Sequence, residues 1–172
     1  MDTARLALEE LQPSHADRLF SGLQDRRLYD FIDDQPPVDV EPLRQRYTRL
    51  AQRKSPDGAE VWLNWALRLR QPSEYIGTVQ ATILRDGVAS IAYVLFSEYW
   101  SKGYAREAVA EMIRHLRERY SLTRFTATVD PPNDRSIRLL HAMDFQQFAS
   151  RQGTATLRGL PADEIDFELV LE

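Results

Sequence analysis

Residues 100–108 read Trp-Ser-Lys-Gly-Tyr-Ala-Arg-Glu-Ala, and the segments on either side of them follow different periods. Upstream, Ala89–Phe96 is almost continuously apolar, the pattern of a strand covered on both faces. Downstream, Ala105, Ala108, Val109, Met112, Ile113 and Leu116 recur at the three-and-four spacing of one helix face, which predicts a helix over Tyr104–Tyr120. A buried strand therefore runs through a short loop into the start of a long helix. The first turn of a helix has unpaired backbone N–H groups and the positive end of the peptide dipoles, so it attracts a phosphate or pyrophosphate. Gly103 permits a positive φ and a close approach to the backbone. Lys102 and Arg106 can add charge around the same anion. The same residues also suit a plain strand–helix turn, and the loop lacks the second glycine and GK[ST] ending of a Walker motif. Both readings stand at this point.

Outward from that loop the chain alternates between strand and helix patterns. Arg5–Leu11 alternates as a strand. Ser14 precedes a helix pattern as its expected cap, with Ala16, Leu19, Phe20 and Leu23 as the apolar stripe. An acidic, proline-containing stretch over Asp25–Val40 reads as a loop, and Pro42–Lys54 as a second helix. Val61–Arg70, Tyr75–Leu84 and Ala89–Phe96 read as three consecutive strands, the last two joined by an Asp86-Gly87 turn. After the long helix come a strand at Arg124–Val129, a helix at Asn133–Met143, and strands at Phe145–Thr156 and Asp163–Leu171. The order βααβββαβαββ describes a mixed α/β fold with a meander, two strand–helix units and a closing hairpin. No repeat or long linker divides the 172 residues, so one domain over 1–172 is expected.

Composition narrows the chemistry. The chain has no cysteine, which excludes disulfides, thiolate nucleophiles and thiolate metal sites. His15, His115 and His141 lie far apart without metal-binding spacing, and no metal is expected. A net charge of −4 argues against nucleic acid as a partner. No apolar run reaches the roughly 20 residues that span a bilayer, and Glu9 and Glu10 interrupt any signal-peptide core. A cytoplasmic protein without a membrane partner is the expectation.

Two blocks together resemble the GNAT N-acetyltransferases. Trp100, Gly103 and Ala105 occupy the fixed positions of the family's acyl-CoA loop, Q/R-x-x-G-x-G/A, with Trp in place of Gln or Arg. The wider run YWSKGYAREA is similar to the YWGKGYATEA form of the RimJ/RimL-like branch, which includes enzymes acting on protein N-termini and relatives acting on small amines. Asn133-Asp134-Arg135-Ser136-Ile137-Arg138-Leu139-Leu140 is similar to the second element, N-x-x-S-x-x-L-L, and Asp144-Phe145 stands where the family ends in Gly-Phe. The resemblance implies a single domain with a mostly antiparallel, splayed sheet of about seven strands and about four helices. It implies direct transfer of acetyl from acetyl-CoA to a primary amine of a peptide or small molecule. A dimer is the family-level expectation.

The resemblance also implies site residues. Ser101, Lys102, Tyr104 and Arg106 join Trp100, Gly103 and Ala105 around the pyrophosphate. Asn133 bonds the pantetheine arm, either with or instead of capping its helix; that helix flanks the adenine side, and its Ser136 and Leu140 are cofactor-binding residues. A backbone N–H of Val94, Leu95 or Phe96 serves the oxyanion, and the same strand pairs with the pantetheine amides. Glu98, Tyr93 and Glu60 are the candidate bases. The family's tyrosine seven residues after the asparagine is Leu140 here, which leaves Ser136, water or unaided departure for the thiolate. The acceptor side is assigned to Tyr29–Asp39, with Tyr29, Asp30, Asp33 and Asp34 attracting a cation, and to Trp62. The missing tyrosine also keeps open a non-catalytic acyl-CoA-binding or regulatory module. An unrelated anion-binding α/β domain is a third reading.

Overall fold

The computed structural model describes residues 1–172. The chain builds one mixed sheet of seven strands in the order β1-β2-β3-β4-β5-β7-β6. Strands β1 (Leu6–Glu10), β2 (Val61–Leu69), β3 (Tyr75–Ile83) and β4 (Val88–Leu95) form one antiparallel half. β5 (Arg124–Val129), β7 (Leu160–Val170) and β6 (Gln146–Leu157) form the other. The helices are α1 (His15–Leu19), α2 (Val40–Leu50), α3 (Tyr104–Tyr120) and α4 (Asp134–His141). The fold class, the element order and the strand and helix numbers agree with the expectation from sequence. No helix is long and apolar enough to cross a membrane.

The two halves meet along one short seam. β4 and β5 are parallel and pair only from Val88–Ser90 to Arg124–Thr126. Beyond Ser90 the strands part, while β5 stays paired with β7 along its length. Pro131-Pro132 then end β5, because proline offers no N–H to a ladder. This parting corrects the expectation that β4 is covered on both faces: Ala92 is exposed, and Tyr93 and Val94 are only half-buried. Their apolar character serves a cleft wall as well as a core.

Each face of the sheet has its own core. α3 and α4 cover the larger one, where Val109, Met112 and Leu116 of α3 pack on Trp65, Val79 and Phe125. The stripe read from the sequence is the buried face of α3, and full burial of each large apolar side chain stabilises the fold by about 1.5–3 kcal/mol. α1 and α2 cover the smaller core, around Leu19, Leu43, Tyr47 and Ala66. Ser14 does not cap α1; its backbone is itself helical and its side chain makes no capping bond. The N–H of Gln12 is instead taken by the ring Nδ1 of buried His15.

Candidate active site

The parted strands open into a cleft of ≈ 1130 Å³ that runs from the α3 N-terminus, across β4 and β5, to the segment between α1 and α2. Its floor is set by ladder chemistry. Bonded and non-bonded pairs alternate in an antiparallel ladder. The Phe96 N–H donates to the Ile76 carbonyl and the Leu84 N–H to the Val88 carbonyl, which assigns the even-numbered residues of β4 to β3. The odd-numbered residues Ile91, Tyr93 and Leu95 therefore turn their backbone groups toward β5, which has left. The Leu95 carbonyl is taken by the Trp100 indole N–H at 2.7 Å. The N–H groups of Tyr93 and Leu95 stay free. Of the three N–H groups expected to serve an oxyanion, only that of Leu95 faces the gap; those of Val94 and Phe96 belong to the β3 ladder.

At the open end of the gap stands the start of α3. Gly103 is its N-cap at φ 80°, and Ser101 before it also has a positive φ of 60°. The first helical acceptor is the Gly103 carbonyl, bonded by the Glu107 N–H, so the N–H groups of Tyr104, Ala105 and Arg106 have no helical partner. Trp100, Ser101, Gly103, Tyr104, Ala105 and Arg106 all line the cleft. Lys102 does not: it is exposed, and its ammonium lies 5.3 Å over the Tyr99 ring. Arg5, which sequence reasoning missed, clamps the loop. It donates to the Lys102 carbonyl at 3.0 Å, pairs with Glu107 at 2.6 Å and stacks 4.5 Å over Tyr104.

The second sequence block closes the other side. Asn133 caps α4 by accepting the Ser136 N–H at 3.2 Å, which leaves its amide NH2 for a ligand. Asn133 and Ser136 line the cleft. Leu140 does not; it is fully buried in the larger core. The Tyr93 hydroxyl reaches across the gap to Ser136 Oγ at 3.2 Å. Burial pushes the Tyr93 phenol above its ordinary range, more than its hydrogen bond to Ser136 lowers it. The guanidinium of Arg135 stacks 3.6 Å over the Trp100 ring, so the two sequence blocks touch.

Several expected residues lie elsewhere. Glu98 is exposed on a short 3-10 turn, Ser97–Tyr99, and does not line the cleft. Phe96 is buried against Gly22, where even a Cβ would come within 2.1 Å of its ring. Trp62 lies outside the cleft and donates to Glu60, which occupies that carboxylate as well. Tyr29, Asp33 and Asp34 do line the cleft, but their polar groups are engaged. The Tyr29 hydroxyl donates to the Leu23 carbonyl, Asp33 accepts the Arg158 N–H, and Asp34 pairs with Arg46 at 2.7 Å. Asp30, outside the cleft lining, pairs with Arg158 at 2.9 Å. The acidic segment thus ties the β6–β7 turn to the α1–α2 side instead of offering free charge.

A splayed sheet with a helix N-terminus at its mouth forms a cleft suited to an extended ligand that ends in a phosphate. The model of the acetyltransferase (GNAT) domain matches residues 5–146, and the chain belongs to that family of acetyl-CoA-dependent acetyltransferases. Over 170 residues it is 27% identical to an uncharacterized N-acetyltransferase, p20, of Bacillus licheniformis, covering 98% of this chain and 94% of that one. A RimL ribosomal L7/L12 α-N-protein acetyltransferase solved with coenzyme A has the same fold, with TM-score 0.85, 17% identity and coverage of 98% and 96%. So does a spermidine N-acetyltransferase from Vibrio cholerae solved with CoA and spermine, with TM-score 0.81, 16% identity and coverage of 98% and 96%.

Proposed function

We propose that this acetyltransferase moves acetyl directly from acetyl-CoA to a primary amine, either a protein N-terminal amine or a small-molecule amine. The observation that carries the reading is the continuity of the free Tyr93 and Leu95 N–H groups with the open first turn of α3 in one cleft. The pyrophosphate lies on the N–H groups of Tyr104–Arg106, and the pantetheine takes the place of the missing ladder partner of β4. Asn133 offers its free amide to the same arm.

In this reading the Leu95 or Tyr93 N–H stabilises the charge that develops on the thioester oxygen. Tyr93 and Ser136 supply the proton for the departing thiolate. The raised affinity of Tyr93 for its proton keeps it a donor at neutral pH. Leu140, one turn further along α4 than Ser136, is buried in the core and faces away from the cleft, so this pair takes the place of a tyrosine there. Positioning of the two substrates within the gap lowers the rest of the barrier. The reading extends to a cytoplasmic setting and a homodimer, which size-exclusion chromatography checks.

Calorimetry with acetyl-CoA, followed by an acceptor screen of peptides with varied first residues and of polyamines, tests the proposal. Release of CoA is read with a thiol dye, free of background because the chain has no cysteine. Micromolar acetyl-CoA binding with turnover of at least one amine is the expected result. A folded protein without acetyl-CoA affinity overturns the donor site. Binding without turnover over the whole panel overturns the transferase reading.

A further inference from the structure

Four carboxylates line the cleft: Asp33, Asp34, Asp130 and Glu164. Three are already occupied. Asp33 accepts from the Arg158 backbone, Asp34 pairs with Arg46, and Glu164 pairs with Arg151 at 3.1 Å. Asp130 makes no side-chain hydrogen bond or salt bridge, although it is half-buried. It directly follows β5, at the edge of the gap left where β5 departs from β4.

Its direction follows from strand periodicity. On β5, Phe125, Ala127 and Val129 enter the core beneath α3 and α4. Thr126 and Thr128 take the other face, where Thr128 bonds to Asp166 of β7. Asp130 continues that alternation onto the α1–α2 face. The β5–β7 register, in which Thr128 opposes Asp166, sets Glu164 beside it. The donor enters between β4 and α4, whereas this face leads to the α1–α2 segment, from which an acceptor arrives.

We infer that Asp130 is the proton acceptor for the incoming amine, an assignment that rests on the amine-acetylation reading above. A protonated amine is drawn to its unpaired carboxylate and gives up one proton to it. The freed lone pair forms the C–N bond with the thioester carbonyl carbon. The C–S bond breaks with its electron pair going to sulfur. The second proton lost by nitrogen reaches that sulfur through Tyr93 and Ser136, and Asp130 returns its own proton to solvent.

The charged and titratable groups around this point come from every neighbouring element. Glu164 and Asp166 lie on β7, Arg151 on β6 pairs with both, Tyr93 lies on β4, and Arg135 and Arg138 lie on α4. Burial, and then the like charge of Glu164, hold the Asp130 carboxyl above the ordinary aspartate range. That direction makes it a stronger base than an exposed aspartate.

The test compares wild type with Asp130→Asn, using acetyl-CoA with either Ala-Ala-Ala or spermidine across pH 6 to 10. The α-amine of the peptide titrates near about 8 and spermidine's amines nearer about 10. For Asp130→Asn, kcat/KM with the peptide is expected to fall about 100-fold near pH 7 and to approach wild type near pH 10, where the amine is already neutral. With spermidine the deficit begins to close only at the alkaline end of that range. Asp130→Glu, which retains a carboxylate, restores at least a tenth of the activity. A loss equal at all pH values marks a structural role and overturns the proposal, as does no loss. Wild type acetylating neither amine overturns it together with the acceptor reading, while acetyl-CoA affinity measured separately by calorimetry keeps the donor site distinct. Should Asp130→Asn fail to fold, Asp130→Glu decides alone: an unchanged pH profile with less than a hundredth of the rate overturns the assignment.

Discussion

The indole N–H of Trp100 donates to the carbonyl of Leu95 at 2.7 Å, tying the loop before α3 to the last residue of β4. Trp100 holds a backbone group that would otherwise face the gap unpaired, while its ring receives Arg135 at 3.6 Å. Trp100→Phe keeps an aromatic face and removes the donor. An unpaired, partly desolvated carbonyl costs about 1–3 kcal/mol. Acetyl-CoA affinity by calorimetry is expected to fall about tenfold, with kcat changed less than threefold at saturating donor.

Gly103 has a different constraint. A Cβ there meets nothing closer than the Arg5 guanidinium at 3.4 Å, so space is adequate and the φ of 80° is the obstacle. A β-branched side chain strains that backbone by about 1–3 kcal/mol. Gly103→Val is expected to abolish measurable acetyl-CoA binding while circular dichroism still reports a folded chain. Wild-type affinity in that variant would displace the pyrophosphate from the α3 N-terminus.

Tyr93 has its proton affinity raised chiefly by burial, so its pKa lies above the ordinary phenol value of about 10. Its ionisation therefore produces no alkaline fall in kcat below that pH. Tyr93→Phe lowers kcat about 10- to 100-fold with little change in acetyl-CoA affinity. Steady-state kinetics from pH 6 to 10 separates the two parameters.

Arg158 links the β6–β7 turn to Asp30 and to the backbone of Tyr29. Arg158→Ala releases that turn from the acceptor side. The acceptor KM is expected to rise about 3- to 10-fold, whereas donor affinity is unchanged. Because the pair is exposed, melting temperature shifts by only a degree or two.

Glu9 gives a pH-dependent contribution to stability. Burial raises its pKa, but hydrogen bonds from Tyr75 and Arg68, with His15 adding to them, bring it below the ordinary glutamate range. A depressed carboxylate pKa stabilises the fold above the unfolded-state value, and that contribution is lost as pH falls below about 4.5. Glu9→Gln is expected to lower the melting temperature at pH 7 and to flatten its decline between pH 5 and 3. Thermal melts in both buffers measure this.

Much of this architecture is written in short-range patterns. The boundaries of α3 coincide with the stripe from Ala105 to Leu116, because Gly103 and the αL residue Ser121 bracket that stripe. Asp144 takes φ 64° at the exit from α4, where the sequence pattern expects a left-handed residue. Ser14 misled because capping depends on backbone angles that residue type alone does not set. β4 looked doubly buried because an apolar run reads the same against a helix or a ligand. The acidic segment looked free because its partner, Arg158, is more than 120 residues away in sequence. Asp130 follows a strand and precedes two prolines, where no periodicity marks it; only the β5–β7 register reveals its face.

The seam between the half-sheets spans only Val88–Ser90 and Arg124–Thr126, yet the cleft continues past it. A pantetheine arm laid along Tyr93 and Leu95 supplies rungs that the polypeptide leaves out. The donor is then a temporary eighth strand that braces one half of the molecule against the other. In the proposed reaction it also forms one wall of the space that receives the amine, which makes the acceptor site complete only in the donor complex. Ordered addition, thioester first, follows from that arrangement, and so does amide exchange along β4 and β5 that slows when the donor binds and quickens when CoA leaves.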